Sequence, residues 1–326
     1  MTIDARILKT LRAADDGSVS GAELSQELGV SRAAVWARVE ELRALGYDIE
    51  ASPHRGYRLL SAPDVLHADD LMARLGKTKV IGRDIQVFEE TTSTNDVIEK
   101  LAHDGVKEGA VVFAESQTEG RGRLGRRWIS PPKKGLWFSV LLRPDLRPQE
   151  ITQLTVASAT ALRRAIQSQL GLNPEIKWPN DILIRGKKVA GILTELSGEL
   201  DHVRYVILGI GVDVNLNPSE FPPDLRKLVT SLKTELGRPV SRAELAVAVL
   251  RELDHDYARI VSGHFAAVAD EWEEHCTTIG HDVVIRTGER QIRGRAESLG
   301  EDGALLLRTD HGHLERIVGG DLSLEK

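Results

Sequence analysis

The sequence predicts an α+β protein of three modules: an N-terminal winged helix-turn-helix, a central body of strands alternating with helices, and a small β-barrel at the end. Three observations carry that expectation. Residues 1–60 show short amphipathic helices punctuated by glycine, followed by two strand-like runs. The next two hundred or so residues alternate strand-like apolar runs with long helical patterns, and past residue 277 only short β-like runs separated by glycine remain. At 326 residues and 41% hydrophobic, the chain has the length of two or three domains and can bury a sizeable core.

In the first module Ile7, Leu8 and Leu11 give the first helix an apolar stripe. Ser20 with Glu23 three residues on predicts a capping box that opens the second helix, which stops at Gly29. Ser31 caps a third helix in which Val35, Val39 and Leu42 share a buried face until Gly46. Residues 47–51 and 56–60 then pair across Ser52-Pro53-His54-Arg55 as a wing. Helix, glycine-containing turn and helix form a DNA-reading arrangement with the third helix as reader. Ser31, Arg32, Ala33, Trp36, Arg38 and Arg55 are the candidate DNA contacts, with Arg43 and Arg58 on the same helix and wing. The alternative is a three-helix domain used for protein contacts. Residues 1–60 hold Lys/Arg 8 against Asp/Glu 9, so binding driven by bulk charge is not expected.

Residues 61–64 read as a linker, because Pro63 discourages helix continuation. The expected boundaries are therefore 1–63, 64–276 and 277–326. In the central body strands are predicted at 85–88, 110–114, 136–142 and 205–210, and a long helix at 151–170. The tail offers strands at 283–286, 292–297 and 304–307.

A net charge of -6 and a pI near 6.0 exclude a general nucleic-acid coat protein, and the single Cys276 excludes an internal disulfide framework and a thiolate metal cluster. The histidines lack metal-ligand spacing, so no resident metal site is expected. Neither a secretory leader nor a membrane-spanning run is recognisable, which fits a cytoplasmic enzyme or regulator.

Chemistry concentrates in two segments. Gly120-Arg121-Gly122-Arg123-Leu124-Gly125-Arg126-Arg127-Trp128 interleaves glycine with arginine in an acidic chain, which suits a loop closing around a polyphosphate or an acyl phosphate. Taken alone it is also consistent with an exposed basic loop. The second segment is Lys177-Trp178-Pro179-Asn180-Asp181, followed by Lys187-Lys188-Val189-Ala190-Gly191-Ile192-Leu193-Thr194-Glu195. Gly209-Ile210-Gly211 lacks the third glycine of a dinucleotide fold and reads as close backbone packing. Ser93 or Thr94 can be simply a helix N-cap.

Together these segments resemble the active-site motifs of biotin protein ligases, and the N-terminal region resembles the DNA-binding part of bifunctional members that also repress biotin operons. The resemblance implies a class II synthetase-like mixed sheet with helices and an SH3-like tail. It implies that Arg121, Gly122 and Arg123 contact biotinoyl-adenylate, that Ser93, Thr94, Asn95 and Gln117 bond the ureido end of biotin, and that Lys188 meets its carboxylate or acyl phosphate. Arg123 and Lys188 are the implied catalytic cations; Arg126, Trp128, Lys177, Asn180, Asp181 and Asp213 border the nucleotide. One position departs: many members carry Asn where this chain has Asp213, and an acid there loses the amide's donors and adds negative charge. Biotin, ATP and Mg²⁺, a biotin carboxyl carrier protein, operator DNA and a homodimer are the implied ligands and partners. A lipoate or octanoate ligase, a biotin-sensing repressor without catalysis, and a ligase whose winged domain has lost DNA recognition are the rival readings.

Overall fold

The structure, a computed structural model, describes residues 2–14, 17–53, 55–199 and 201–324. His54, in the expected wing turn, lies outside the described residues. The chain divides into two compact units, 1–77 with 241–247 and 78–240 with 248–326.

In the first unit Thr2 caps α1 (Ile3–Ala13), and the capping box of Ser20 and Glu23 opens α2 (Gly21–Leu28). Gly29, at φ 70°, supplies the left-handed residue that closes α2. Ser31 then accepts from the Ala34 amide and starts α3 (Arg32–Ala44). Strands β1 (Asp48–Ser52) and β2 (Gly56–Ser61) pair antiparallel as the wing. Ile7, Leu8, Leu11, Val35, Val39 and Leu42 form one buried cluster, as their helical spacing predicted, and Leu24 of α2 joins it. Helix α4 (Ala68–Leu75) also belongs here, so the boundary expected at residue 63 falls inside this unit. Its buried Asp70 holds Arg12 of α1 at 2.6 Å and Arg74 at 2.9 Å, and Asp64 beyond Pro63 pairs with the buried Arg242.

The second unit is built on β3 (Asp84–Thr91), α5 (Thr94–His103), β4 (Ala110–Gln117), β5 (Gly135–Leu142), α6 (Thr152–Leu170), β6 (Glu175–Lys177), β7 (Asp181–Ile184), β8 (Lys187–Gly198) and β9 (Val203–Asp213). The sheet order is β3-β4-β5-β9-β8-β7-β6. It is mixed: β3 and β4 run parallel and the other neighbours antiparallel. Strand β5 lies between β4 and β9 and is buried along its whole length, so its residues are apolar except for Gly135 and Ser139. Helices α7 (Leu232–Leu236), α8 (Arg242–Val261) and α9 (Phe265–Glu274) follow, the start of α8 counting with the first unit.

The tail forms β10 (Asp282–Thr287), β11 (Arg290–Leu299), β12 (Leu305–Thr309), β13 (Leu314–Ile317) and β14 (Asp321–Leu324), an antiparallel sheet in the order β13-β12-β11-β10-β14. It is the third, all-β module expected from the sequence. Strands β13 and β14 gave no signal there, because each is only four residues long.

Candidate active site

A cavity of about 280 Å³ opens beside the ends of β7, β8 and β9. Its floor is made of glycine. Gly191 of β8 and Gly211 of β9 face each other across the ladder, and the Trp128 ring lies over both. A β-carbon on Gly211 would stand 2.5 Å from the Trp128 indole, and one on Gly209 would stand 2.4 Å from the Asn95 side chain. The Gly209-Ile210-Gly211 segment is therefore a site of close packing, as expected.

The arginine segment is not an open loop. It folds back as a narrow hairpin, tied by backbone bonds from Gln117 to Ser130, from Trp128 to Gly120 and from Gly122 to Arg126, with a 3₁₀ turn at residues Arg123–Gly125. Glycine permits the tight return, and Leu124 at the tip adopts φ 57° and is exposed.

Four of the cations have partners within the site. Arg121 pairs with Asp96 and Arg126 with Asp321, at 2.6 and 2.5 Å. Arg123 points into the cavity, donates to Asn180 Oδ1 at 3.2 Å and approaches the Gly320 carbonyl. Burial pushes its pKa down, partly countered by Asp181 and Asp321. Lys188 Nζ sits 2.6 Å from Asp181 Oδ1 and 5.1 Å from the centre of the Trp128 ring. Lys177 also lines the cavity, but on β6, with β7 between it and the strand of Lys188. Arg127 lines it as well.

At the other end Ser93 is the N-cap of α5, and Ser93, Thr94 and Asn95 are buried. The Gln117 carbonyl oxygen accepts from the Thr94 amide at 2.8 Å, while its amide donates to Ser130 at 2.8 Å. Asn95 donates to Glu195 at 2.5 Å and accepts from Ser139. Ser139, Ser130 and Asp96 escaped the sequence reading, and Glu195 stood in the second segment without a role; a lone serine inside the apolar run of β5 was the signal for the first. Asp321 and Gly320 gave none, since only the fold brings them to the hairpin.

Asp213 ends β9 inside the cavity, fully buried, and desolvation raises its pKa well above the usual carboxylate range against the pull of Lys188. Among the described residues no three His, Cys, Asp or Glu side chains gather to hold a metal ion. Asp181, partly open to the cavity, suits a Mg²⁺ bound chiefly through phosphate oxygens and water.

In the first unit Arg32, Ala33, Trp36 and Arg55 are exposed and Ser31 caps the helix. Arg38 differs: its guanidinium donates to both oxygens of the buried Asp4, and it pairs with Glu41 at 2.6 Å. Arg43 is spent on Glu40 and the Ile49 carbonyl.

A family model described as Biotin/lipoate A/B protein ligase family matches residues 87–213, an HTH domain model matches 5–58, and one described as Biotin protein ligase C terminal domain matches 278–324. The chain is 38% identical to the bifunctional ligase/repressor BirA of Bacillus subtilis (strain 168), over 99% of each. The chain belongs to the biotin protein ligase family. The biotin--[acetyl-CoA-carboxylase] ligase of Mycobacterium tuberculosis is 33% identical over 74% of this chain and 88% of its own. The biotin protein ligase from Aquifex aeolicus in complex with biotin and ATP superposes with a TM-score of 0.63 at 31% identity, covering 75% of this chain and 99% of that one. The Biotin/lipoate family match takes in the arginine hairpin, the glycine floor and Asp213 together.

Proposed function

We propose that this biotin protein ligase is bifunctional: it activates biotin with ATP, transfers it to an acceptor lysine, and represses transcription in response to biotin. The carrying observation is the convergence of the arginine hairpin, Lys188 and Trp128 on one cavity, in a chain matched end to end by a bifunctional ligase/repressor.

The biotin carboxylate is ionised at neutral pH, so activation needs no general base. The obstacle is electrostatic, since a carboxylate must approach the α-phosphate of ATP. Arg123 and Lys188 stabilise the charge that grows on the phosphoryl oxygens as biotinoyl-5'-AMP forms and pyrophosphate leaves. Ser93, Thr94 and Asn95 hold biotin, with Gln117 fixing the start of α5 and the hairpin. Arg121 and Gly122 cover the adenylate, and Arg126, Trp128, Lys177, Asn180, Asp181 and Asp213 border the nucleotide. Asp181 is the residue that would meet a bound Mg²⁺, which would supply neutralisation of phosphate charge there. In the second step the lysine amine of a biotin carboxyl carrier protein attacks the acyl carbon and AMP departs.

The working division is a DNA-binding module at 1–63, a catalytic module at 64–276 and a β module at 277–326, acting as a homodimer in the cytoplasm. Ser31, Arg32, Ala33, Trp36 and Arg55 face operator DNA, while Arg38 braces α3 against α1. No described helix is long and apolar enough to cross a membrane. Incubation with biotin and labelled ATP should release pyrophosphate and leave a bound biotinoyl-adenylate. Pyrophosphate release that is independent of biotin would refute the ligase.

A further inference from the structure

We infer that α3 reads its operator chiefly through thymine methyl groups, with Trp36 as the specificity-determining contact. The inference rests on the DNA-binding reading of the first unit.

The outer face of α3 presents Arg32, Ala33, Trp36 and Ala37, all exposed, and the Trp36 ring is 58% exposed. That is an apolar strip with a cation at its N-terminal end. Arginines that would otherwise read guanine or grip phosphate are withdrawn: Arg38 is bound to Asp4 and Glu41, and Arg43 to Glu40 and the Ile49 carbonyl. Residues 1–60 carry no excess of positive charge, so phosphate attraction alone supplies little. In the major groove the one apolar group on a base edge is the C5-methyl of thymine. A helix whose exposed face carries an indole flanked by Arg32 and Ala33, with Ala37 beyond, is complementary to that methyl and, apart from Arg32, offers none of the paired donors that guanine or adenine requires. Arg32 at the start of the helix and Arg55 on the wing are left for backbone contacts.

The test begins with duplexes enriched from a randomised pool by the full chain with biotin and ATP. These are remade with deoxyuridine replacing thymidine one position at a time, which deletes the methyl alone. Wild-type binding should weaken roughly fourfold at each contacted methyl. Trp36→Ala should bind thymidine and deoxyuridine duplexes equally, yet keep the wild-type dependence of affinity on salt, because its phosphate contacts remain. Equal wild-type affinity for both duplexes overturns the inference, as does undiminished discrimination by Trp36→Ala. Enrichment of no duplex would instead remove the DNA reading itself and assign this face to a protein partner.

Discussion

Arg123 is half-sheltered in the cavity and held by Asn180 and a main-chain carbonyl rather than by a carboxylate, which leaves its charge available for phosphate. Arg123→Ala should fold normally and shorten the half-life of the bound adenylate, at a cost on the order of 2 kcal/mol for a lost charge-assisted bond. Asp213 makes a second prediction. Its folded pKa is raised, so its contribution to stability is fully present below the unfolded value and is lost as pH rises through the folded one. Asp213→Asn, which never ionises, should therefore gain stability over wild type as pH rises, visible as a melting-temperature difference that grows from acid to neutral pH. An equal difference at all pH values would mean that folding does not shift this carboxyl's pKa, and a difference that shrinks or reverses as pH rises would mean that it is ionised and paired in the fold. A raised pKa keeps a proton, and so one donor, on this carboxyl to higher pH than on an ordinary one, which bears on the departure from the family's asparagine. At Gly211 a methyl has no room beneath Trp128, so Gly211→Ala should cost roughly 1–3 kcal/mol and shift tryptophan fluorescence as the ring is displaced.

The hairpin from Gln117 to Ser130 is the element on which the site turns. Its two ends and the start of α5 are joined by one amide, since Gln117 accepts from Thr94 and donates to Ser130. Gln117→Ala orphans the buried Thr94 N–H, a loss of about 1–3 kcal/mol. Limited proteolysis within 118–129 should accelerate and biotin affinity should fall; unchanged cleavage would show that the backbone bonds suffice. The ion pairs of Arg121 and Arg126 are with exposed or half-exposed carboxylates, and such pairs contribute little. Ligand phosphates can therefore replace them at small cost, which keeps the hairpin's guanidinium groups positioned yet exchangeable.

For the whole molecule, biotin with ATP, but neither alone, should strengthen both sedimentation as a dimer and operator binding. Ordering of the hairpin by the adenylate lowers the entropic cost of a nearby dimer surface, and two winged units then bind two half-sites. A protein that stays monomeric and binds DNA equally with and without the adenylate leaves only ligation. Truncation tests whether the DNA-binding module ends at residue 63 or with the compact unit at residue 77. Removing residues 1–63 strips Arg12 from the buried Asp70 and uncovers Ala73, which packs in the same apolar cluster as α1, so that variant should melt lower than one lacking 1–77 while both lose operator binding.

The sequence by itself determined the helix starts at Ser20 and Ser31 and one at Ser93 or Thr94, the apolar stripe of the first helices, the centres of β3, β4, β5 and β9 in the sheet and the two cation-bearing segments. Those are local signals: a cap acts over three residues and periodicity over one or two turns. It also carried the family resemblance, because that lies in residue order. Tertiary structure alone decided which cation meets which anion. Asp4 and Arg38 are far apart in sequence, as are Arg126 and Asp321, and no local pattern encodes pairs closed by folding. The same holds for the glycines. Gly191 and Gly211 have meaning only once β8 and β9 pair and Trp128 settles on the space that their missing side chains leave. The placement of α4 with the winged unit was likewise hidden, since Pro63 marks a local break in the chain while Asp70 and Arg12 tie its two sides together through space.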